Sequence, residues 1–159
     1  MTAIAKASDL PACLEAGAAK AVERERNPFA NLRGAFDATL NFATWDDEAN
    51  LLSCLRKGAL GHATTVHPLM QNFDEGGWVA GALRTIQQKR NMRATVPRRT
   101  GNYAWVLFRP EREALPEMAR LVELGRLSLP IGTRAPLRDA PKAFDHVRSH
   151  APGRALLIP

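Results

Sequence analysis

The chain has 159 residues, a mass of 17.4 kDa, 45% hydrophobic residues and a formal net charge of +6. That length allows one ordinary core or two smaller ones, and no stretch approaches the roughly 18 apolar residues that a transmembrane helix requires. The opening residues MTAIAKASDLPA lack the charged start and the long apolar run of a signal peptide, so we expect a cytoplasmic protein that does not enter a membrane.

Strand and helix patterns alternate along the first half of the chain. An apolar strand is predicted at Thr2–Ala5, and a helix follows at 10–16, with Ser8 or Asp9 as its cap and Gly17 as its terminator. The other elements predicted in this half are strands at 21–23, 36–42 and 62–68, and a helix at 46–57 with an acidic first turn and a basic last turn.

The second half continues this alternation. Residues 76–90 favour a helix despite their glycines, and the aromatic residues of 103–108 indicate a strand. A helix follows in which Leu115, Met118 and Val122 share one face. The tail is predicted as a strand near 127–131, a turn at 136–139, a helix at 141–149 and an apolar strand at 155–158.

These patterns predict an α/β fold. Strands separated by helices of this length form a parallel sheet with helices on its faces. The last strand needs a partner, because an exposed apolar edge promotes aggregation. The first strand begins at residue 2, with no element ahead of it to cover the sheet. Both ends of the chain therefore look cut.

Three segments of the sequence resemble a known family: GALGHATTVHPL, YAWVLFRP and ARLVELGRLSLPIGTRAPLRDAPKAFDHVRSHAPGRALLIP. They resemble the C-terminal half of the medium-chain dehydrogenase/reductase superfamily. The zinc-independent, quinone-oxidoreductase-like branch fits best, and within it the reticulon-interacting-protein-like oxidoreductases. The resemblance covers nearly the whole chain and is weakest between residues 73 and 100. Its most specific part is the tail, where a proline-led turn, an Ala-Phe helix and a Gly-Arg pair precede the last strand.

The resemblance implies an incomplete Rossmann-type parallel sheet with flanking helices over residues 1–126. Residues 127–159 would supply C-terminal elements of the GroES-like catalytic domain. In relatives, most of that domain, the first Rossmann strand and a glycine-rich turn come before the position of Met1, so a truncated chain is expected. The glycines of that turn let the backbone approach the cofactor pyrophosphate. The cluster GGWVAG at 76–81 has the wrong spacing to replace it.

The residues after the first strand bear on the choice of cofactor. In a Rossmann unit, an acidic residue at the end of the second strand binds the ribose of NAD, and a basic one accommodates the 2′-phosphate of NADP. Here Lys6 offers a charge and Ser8 a hydroxyl group, although Ser8 has an ordinary alternative as a helix cap. NADP(H) is therefore the expected cofactor.

The resemblance places further cofactor-binding residues in loops after strands and before the last strand. They are Asn41 and Phe42 on the adenosine side, Val66 and His67 beside the nicotinamide ribose, Leu107 and Phe108 beside the nicotinamide ring, and Arg154 near the 2′-phosphate. Ala43 stands where relatives usually have a glycine. The ordinary alternatives are core packing for Leu107 and Phe108 and a surface charge for Arg154.

We expect neither a metal nor a catalytic acid, base or nucleophile. Cys13 and Cys54 lie in helical patterns beside apolar residues, which favours buried thiols. His146 and His150 would share a helix face, but they lack a third ligand nearby. Hydride transfer in this branch needs no acid–base triad, because the cofactor performs the chemistry.

Two functions remain open from the sequence. The first is the cofactor-binding portion of an NADPH-dependent oxidoreductase that reduces quinones or activated enones, with its activity in isolation left open. The second is a non-enzymatic module that dimerises and binds a polyanion through the basic residues 89–99. Nucleic acid is not the expected partner, since no known nucleic-acid motif accompanies the charge. A homodimer is expected, because the open sheet needs cover.

Overall fold

The computed structural model describes residues 1–149 and 151–159, which fall into two compact units, Met1–Leu107 and Phe108–Pro159. All strand pairs in the described residues are parallel. This confirms the predicted α/β class. Among the described residues, no helix combines the length and the apolar character needed to span a membrane. The division of family domains at residue 126 remains a prediction, because compactness alone defines these two units.

The first unit contains two parallel sheets. In the first sheet, β1 (Thr2–Ala5) pairs with β2 (Lys20–Glu23). In the second, β3 (Ala38–Asn41), β4 (Gly61–Thr64) and β5 (Asn102–Trp105) lie in the order β3–β4–β5. These two sheets do not pair with each other, because no strand of the described chain joins β1 to β3.

Four helices accompany these strands: α1 (Leu10–Glu15), α2 (Phe29–Leu32), α3 (Glu48–Ser53) and α4 (Leu69–Thr95). Gly17 ends α1 with a φ of 95°, as predicted. Asp9 is the N-cap of α1, but its side chain makes no capping hydrogen bond. The prediction that α3 ends in a basic turn was wrong, because the helix ends at Ser53, before Arg56. The Arg56 N–H instead donates to the carbonyl oxygen of Phe36 at 2.9 Å.

Four strand boundaries also differ from the prediction. The strands expected at 36–42, 62–68 and 103–108 end earlier than expected, at Asn41, Thr64 and Trp105, where the loops of the sheet edge begin. The strand expected near 127–131 begins only at Ile131. Its first part instead continues the turn after a helix, since the Leu127 N–H donates to the carbonyl oxygen of Leu121 at 3.1 Å.

α4 is a hairpin of two helical arms. Gly77 has a φ of 66° and a ψ of −173°, which breaks the helix and turns the chain back. The Asn72 side chain of the first arm donates to Gln88 Oε1 of the second arm at 2.6 Å. A Cβ atom at Gly81 would lie 2.7 Å from the Asn72 carbonyl oxygen, so the arms touch backbone to backbone. The glycines of 76–81 therefore serve helix packing.

The second unit is small and contains one sheet. Its elements are α5 (Ala114–Glu123), β6 (Ile131–Pro136), α6 (Ala140–Arg148) and β7 (Arg154–Ile158). β7 pairs in parallel with β6, so the last strand finds its partner within the chain. The predicted apolar face of α5 is not buried within the described chain, as Leu115 is 72% exposed. His150, expected to share a helix face with His146, lies outside the described residues.

The core of the first unit lies between α3 and the sheet β3–β4–β5. Leu52 is fully buried there and contacts a cluster that includes Leu55, Ala59 and Tyr103. We expect Leu52→Ala to lower the free energy of unfolding by about 2–5 kcal/mol, because it leaves a cavity in this cluster. Urea denaturation followed by circular dichroism measures the change.

The matched control is Leu83→Ala, the same substitution on an exposed face of α4. It should change the free energy of unfolding by less than about 0.5 kcal/mol. Equal effects of the two substitutions would contradict the position of this core.

Candidate functional site

The carboxyl ends of β3, β4 and β5 meet at one edge of the sheet. The Thr65 N–H donates to the Asn41 carbonyl oxygen at 3.0 Å, and the Val106 N–H donates to the Thr64 carbonyl oxygen at 2.8 Å. The three loops that follow therefore begin side by side. We call residues 41–43, 65–67 and 106–107 the strand-end site, since open α/β sheets bind ligands outside this edge.

The predicted cofactor-binding residues fall into three groups. Those in the strand-end site are Asn41, Phe42, Val66, His67 and Leu107; those after β1 are Lys6 and Ser8; those in the second unit are Phe108 and Arg154. The sequence had left open that Leu107 and Phe108 pack in the core. This alternative was wrong, because the two side chains are 52% and 91% exposed. Ser8 donates a hydrogen bond to Asp9 Oδ1 at 2.9 Å, and Lys6 is exposed.

His67 is held in a fixed orientation in the strand-end site. Its ring stacks on Trp105, with centroids 4.8 Å apart and planes 1° apart, and its Nε2 lies 3.2 Å from the Val106 carbonyl oxygen. Lys89 Nζ lies 5.7 Å from the centroid of the Trp105 ring, which is a cation–π distance. The sequence placed Lys89 only in a basic region; its position beside this site depends on the α4 hairpin.

Two buried polar atoms at the end of β4 lack a partner. Thr64 Oγ1 and His67 Nδ1 have no hydrogen-bond partner among the described residues. Such atoms are rare in folded proteins, because a buried polar group without a partner is costly. They are unsatisfied hydrogen-bonding groups next to the strand-end site. The glycine-rich pyrophosphate turn has no counterpart in the sequence.

Comparison with known proteins establishes the family. The family model described as zinc-binding dehydrogenase matches residues 16–154. The chain belongs to this zinc-binding dehydrogenase family. The resemblance to the medium-chain dehydrogenase/reductase superfamily is thereby confirmed.

Solved structures show the same fold. The quinone oxidoreductase from Coxiella burnetii aligns with a TM-score of 0.69 and 16% identity, over 98% of this chain and 44% of that one. The cobalt- and zinc-bound thermostable alcohol dehydrogenase from Pyrobaculum aerophilum aligns with a TM-score of 0.56 and 21% identity, over 99% of this chain and 42% of that one. The chain thus spans less than half the length of either protein. The search of curated proteins finds no significant match.

The described residues do not fit a metal centre, despite the name of the dehydrogenase family. No three His, Cys, Asp or Glu side chains in 1–149 and 151–159 are arranged to hold a metal ion. Cys54 is buried, and burial raises the pKa of its thiol, which disfavours the thiolate that binds metals.

A buried carboxylate lies beneath the strand-end site and was missed by the sequence analysis. Glu48 of α3 is fully buried. Asn41 Nδ2 donates to its Oε2 at 2.8 Å, the Tyr103 hydroxyl donates to its Oε1 at 2.9 Å, and His62 Nε2 lies 3.1 Å from the same oxygen. We call these four side chains the Glu48 cluster. It joins α3 to one residue of each strand in the sheet.

Neighbouring side chains extend the Glu48 cluster on both sides. His62 Nδ1 lies 2.7 Å from Thr39 Oγ1, and Trp105 Nε1 donates to the Tyr103 hydroxyl at 2.8 Å. Burial raises the pKa of Tyr103 above its ordinary value of 10.0, so the phenol keeps its proton and donates to Glu48. Because Trp105 also stacks on His67, the cluster fixes one wall of the strand-end site.

The ionisation of Glu48 depends on its partners. Burial, the largest effect, raises the pKa of this carboxyl group, but His62, Asn41 and Tyr103 together hold it below its ordinary value of 4.5. A carboxylate with a lowered folded pKa stabilises the protein above its unfolded pKa. That contribution is lost as the pH falls through the lower folded value.

We therefore expect Glu48→Gln to lower the free energy of unfolding at pH 7 by about 1–3 kcal/mol, because an amide cannot accept from all three partners. The variant should also lose part of the fall in stability between about pH 5 and pH 3. Urea denaturation at several pH values measures both.

The matched control is Glu117→Gln, which removes an exposed ion pair with Arg120 and should leave the stability near that of the unmodified chain. An unchanged acid dependence in Glu48→Gln would contradict the role of Glu48.

Proposed function

We propose that this chain is the cofactor-binding portion of an oxidoreductase that uses NADPH to reduce a quinone or an activated enone. The observation that carries the proposal is the strand-end site, where three loops adjoin and two buried polar atoms lack partners. Membership of the dehydrogenase family supports a nicotinamide dinucleotide as cofactor. The name of the Coxiella burnetii protein, a quinone oxidoreductase, supports a quinone as substrate.

The residues of the strand-end site would bind and orient the nicotinamide half of the cofactor. With its ring stacked on Trp105 and Nε2 beside the Val106 carbonyl oxygen, His67 offers Nδ1 as its remaining polar atom. That atom and Thr64 Oγ1 suit the ribose hydroxyls or the carboxamide. Leu107 and Phe42 are exposed apolar side chains that would contact rings of the cofactor and exclude water. When bound, the cofactor supplies the hydride, and the protein positions it.

The preference for NADPH rests on Lys6. Its ammonium group is exposed directly after β1 and forms no ion pair with the described residues, so it is available to a 2′-phosphate. Lys89 adds a second positive charge near the end of β5. Arg154, the exposed first residue of β7 in the second unit, remains a predicted phosphate ligand.

A titration with NADPH and NADH, followed by nicotinamide fluorescence and thermal shift, tests this proposal. We expect saturable binding with NADPH preferred. Lys6→Glu should weaken NADPH binding about tenfold, the equivalent of one charge-assisted hydrogen bond of ~1.4 kcal/mol. Lys20→Glu is the matched control, since it makes the same charge change at an exposed position of β2. Equal losses in the two variants, or no binding of either cofactor, would contradict the proposal.

A second candidate is a polyanion-binding module that dimerises without enzymatic activity. Five exposed cations lie between residues 89 and 99 and form no ion pair with the described residues: Lys89, Arg90, Arg93, Arg98 and Arg99. This function predicts heparin binding that weakens steeply with salt and does not respond to Lys6→Glu. A salt series on a heparin column distinguishes it from the cofactor site, and sedimentation measures the dimer.

A further inference from the structure

The second arm of the α4 hairpin, residues 78–95, carries an exposed seam. Its positions are Val79, Leu83, Ile86, Arg90 and Arg93, which follow one another at spacings of 4, 3, 4 and 3 residues. This alternation is the spacing of the contact positions in a coiled coil, and it places the five side chains on one face of the helix. They extend over about 21 Å of helix. We call these five residues the α4 seam.

The α4 seam faces away from the core of the first unit. Val79, Leu83 and Ile86 are 77%, 65% and 54% exposed. The arm packs on the rest of the unit through another face, where Gly81 approaches the backbone of the first arm and Met92 packs against the buried core cluster. Three exposed apolar side chains aligned along a helix mark an interaction surface rather than a folding contact.

The chemistry of the α4 seam changes along its length. Its first three positions are apolar, and its last two, Arg90 and Arg93, are basic and exposed. The exposed Lys89 adds a third cation at this end. Within the described part of the chain, these three cations form no ion pair. A complementary partner therefore offers apolar groups at one end and negative charge at the other.

A second copy of the α4 seam does not offer this pattern. A parallel pair would bring Arg90 of one copy close to Arg90 of the other, and like charges repel. An antiparallel pair would set the cations of each copy against the apolar positions of the other, where a buried charge has no acidic partner. The α4 seam is therefore suited to a different helix.

The α4 seam is also unlike a membrane-binding helix. Such a helix carries its cations beside the apolar stripe, whereas the cations here continue the stripe lengthwise. The tip of the hairpin carries the exposed Asp74 and an exposed ion pair of 3.0 Å between Glu75 and Arg84. Inserting this tip into a bilayer would remove these charges from water, which is costly. The charge pattern thus favours a protein partner over a lipid surface.

We propose that the α4 seam binds an amphipathic helix of a partner protein in antiparallel orientation. The seam of that helix begins with two acidic residues and continues with three apolar ones, which is the complement of the α4 seam. Acidic residues stabilise the start of a helix and basic residues its end, and Arg93 lies in the last turn of α4. Antiparallel pairing brings these two charged ends together. The contact uses no residue of the strand-end site.

A synthetic helical peptide tests this proposal without any cofactor. The probe spans three heptads, with Glu at the first two seam positions, Leu at the next three, Ala and Gln elsewhere, and a fluorophore at its N-terminus. Its control has the same composition, with both Glu residues on the opposite face of the helix. Fluorescence anisotropy with the full chain should show saturable binding of the probe. The control should bind at least about tenfold more weakly, because its charges do not meet those of the α4 seam.

Two charge variants separate the α4 seam from a general attraction to positive charge. Arg90→Glu should weaken probe binding about tenfold, and a probe with Lys in place of its second Glu, which would face this position, should restore it. Arg98→Glu is the matched control, because it makes the same charge change beyond the end of α4. It should leave probe binding within about twofold of that of the unmodified chain.

Leu83→Ala tests the apolar half of the α4 seam. It removes an exposed side chain, so circular dichroism should show an unchanged fold, while probe binding should weaken about tenfold.

Four results would overturn the proposal. The first is the absence of saturable probe binding, and the second is an equal loss in Arg90→Glu and Arg98→Glu, which would indicate a general polyanion site. The third is self-association that Leu83→Ala abolishes, which would assign the α4 seam to a second copy of this chain. The fourth is binding to vesicles of phosphatidylcholine and phosphatidylserine that Leu83→Ala abolishes, which would assign it to a lipid surface. Because no measurement involves NADPH, failure here is distinguishable from failure of the proposed function.

Discussion

The buried carboxylate of Glu48 is the interaction on which the first unit depends. It lies in a short helix of two turns, yet it contacts one side chain from each strand of the neighbouring sheet. An ionised group without water is stable only when hydrogen bonds replace its hydration. Asn41, His62 and Tyr103 must therefore keep their positions, and the strand ends that carry the candidate site keep theirs. Through Tyr103 and Trp105 the same constraint reaches His67, so the core and the site are built from one network.

The helices around this network cover only part of the sheet β3–β4–β5. The inner face of β3–β4–β5 is covered by α3 and α4, whereas Leu40 and Phe42 remain exposed. The Arg24–Asp47 ion pair connects the β1–β2 sheet to the start of α3. The facing edges of the two sheets, β1 and β3, pair with no strand of the described chain.

Local patterns predicted the elements that local chemistry determines. The apolar run at Thr2–Ala5, the glycine after α1 and the parallel α/β class followed from periodicity and turn residues. Asn41 and His67 were candidates only through the resemblance to the family, and their roles stay predictions. Contacts between distant positions were not predictable in this way. Tyr103 meets Glu48 across 55 positions, and the α4 hairpin depends on Gly77 and on Asn72 reaching the second arm. The tail strand was misplaced because residues 127–130 resemble a strand but follow α5 as a turn.

Two-dimensional NMR of the isotope-labelled chain would locate bound NADPH. If NADPH binds at the strand-end site, we expect chemical-shift changes at the carboxyl ends of three strands, in Asn41, Val66, His67 and Leu107, and at Lys6 after β1. Changes confined to the basic residues 89–99 would contradict it. They would show that the cofactor is held only as a polyanion.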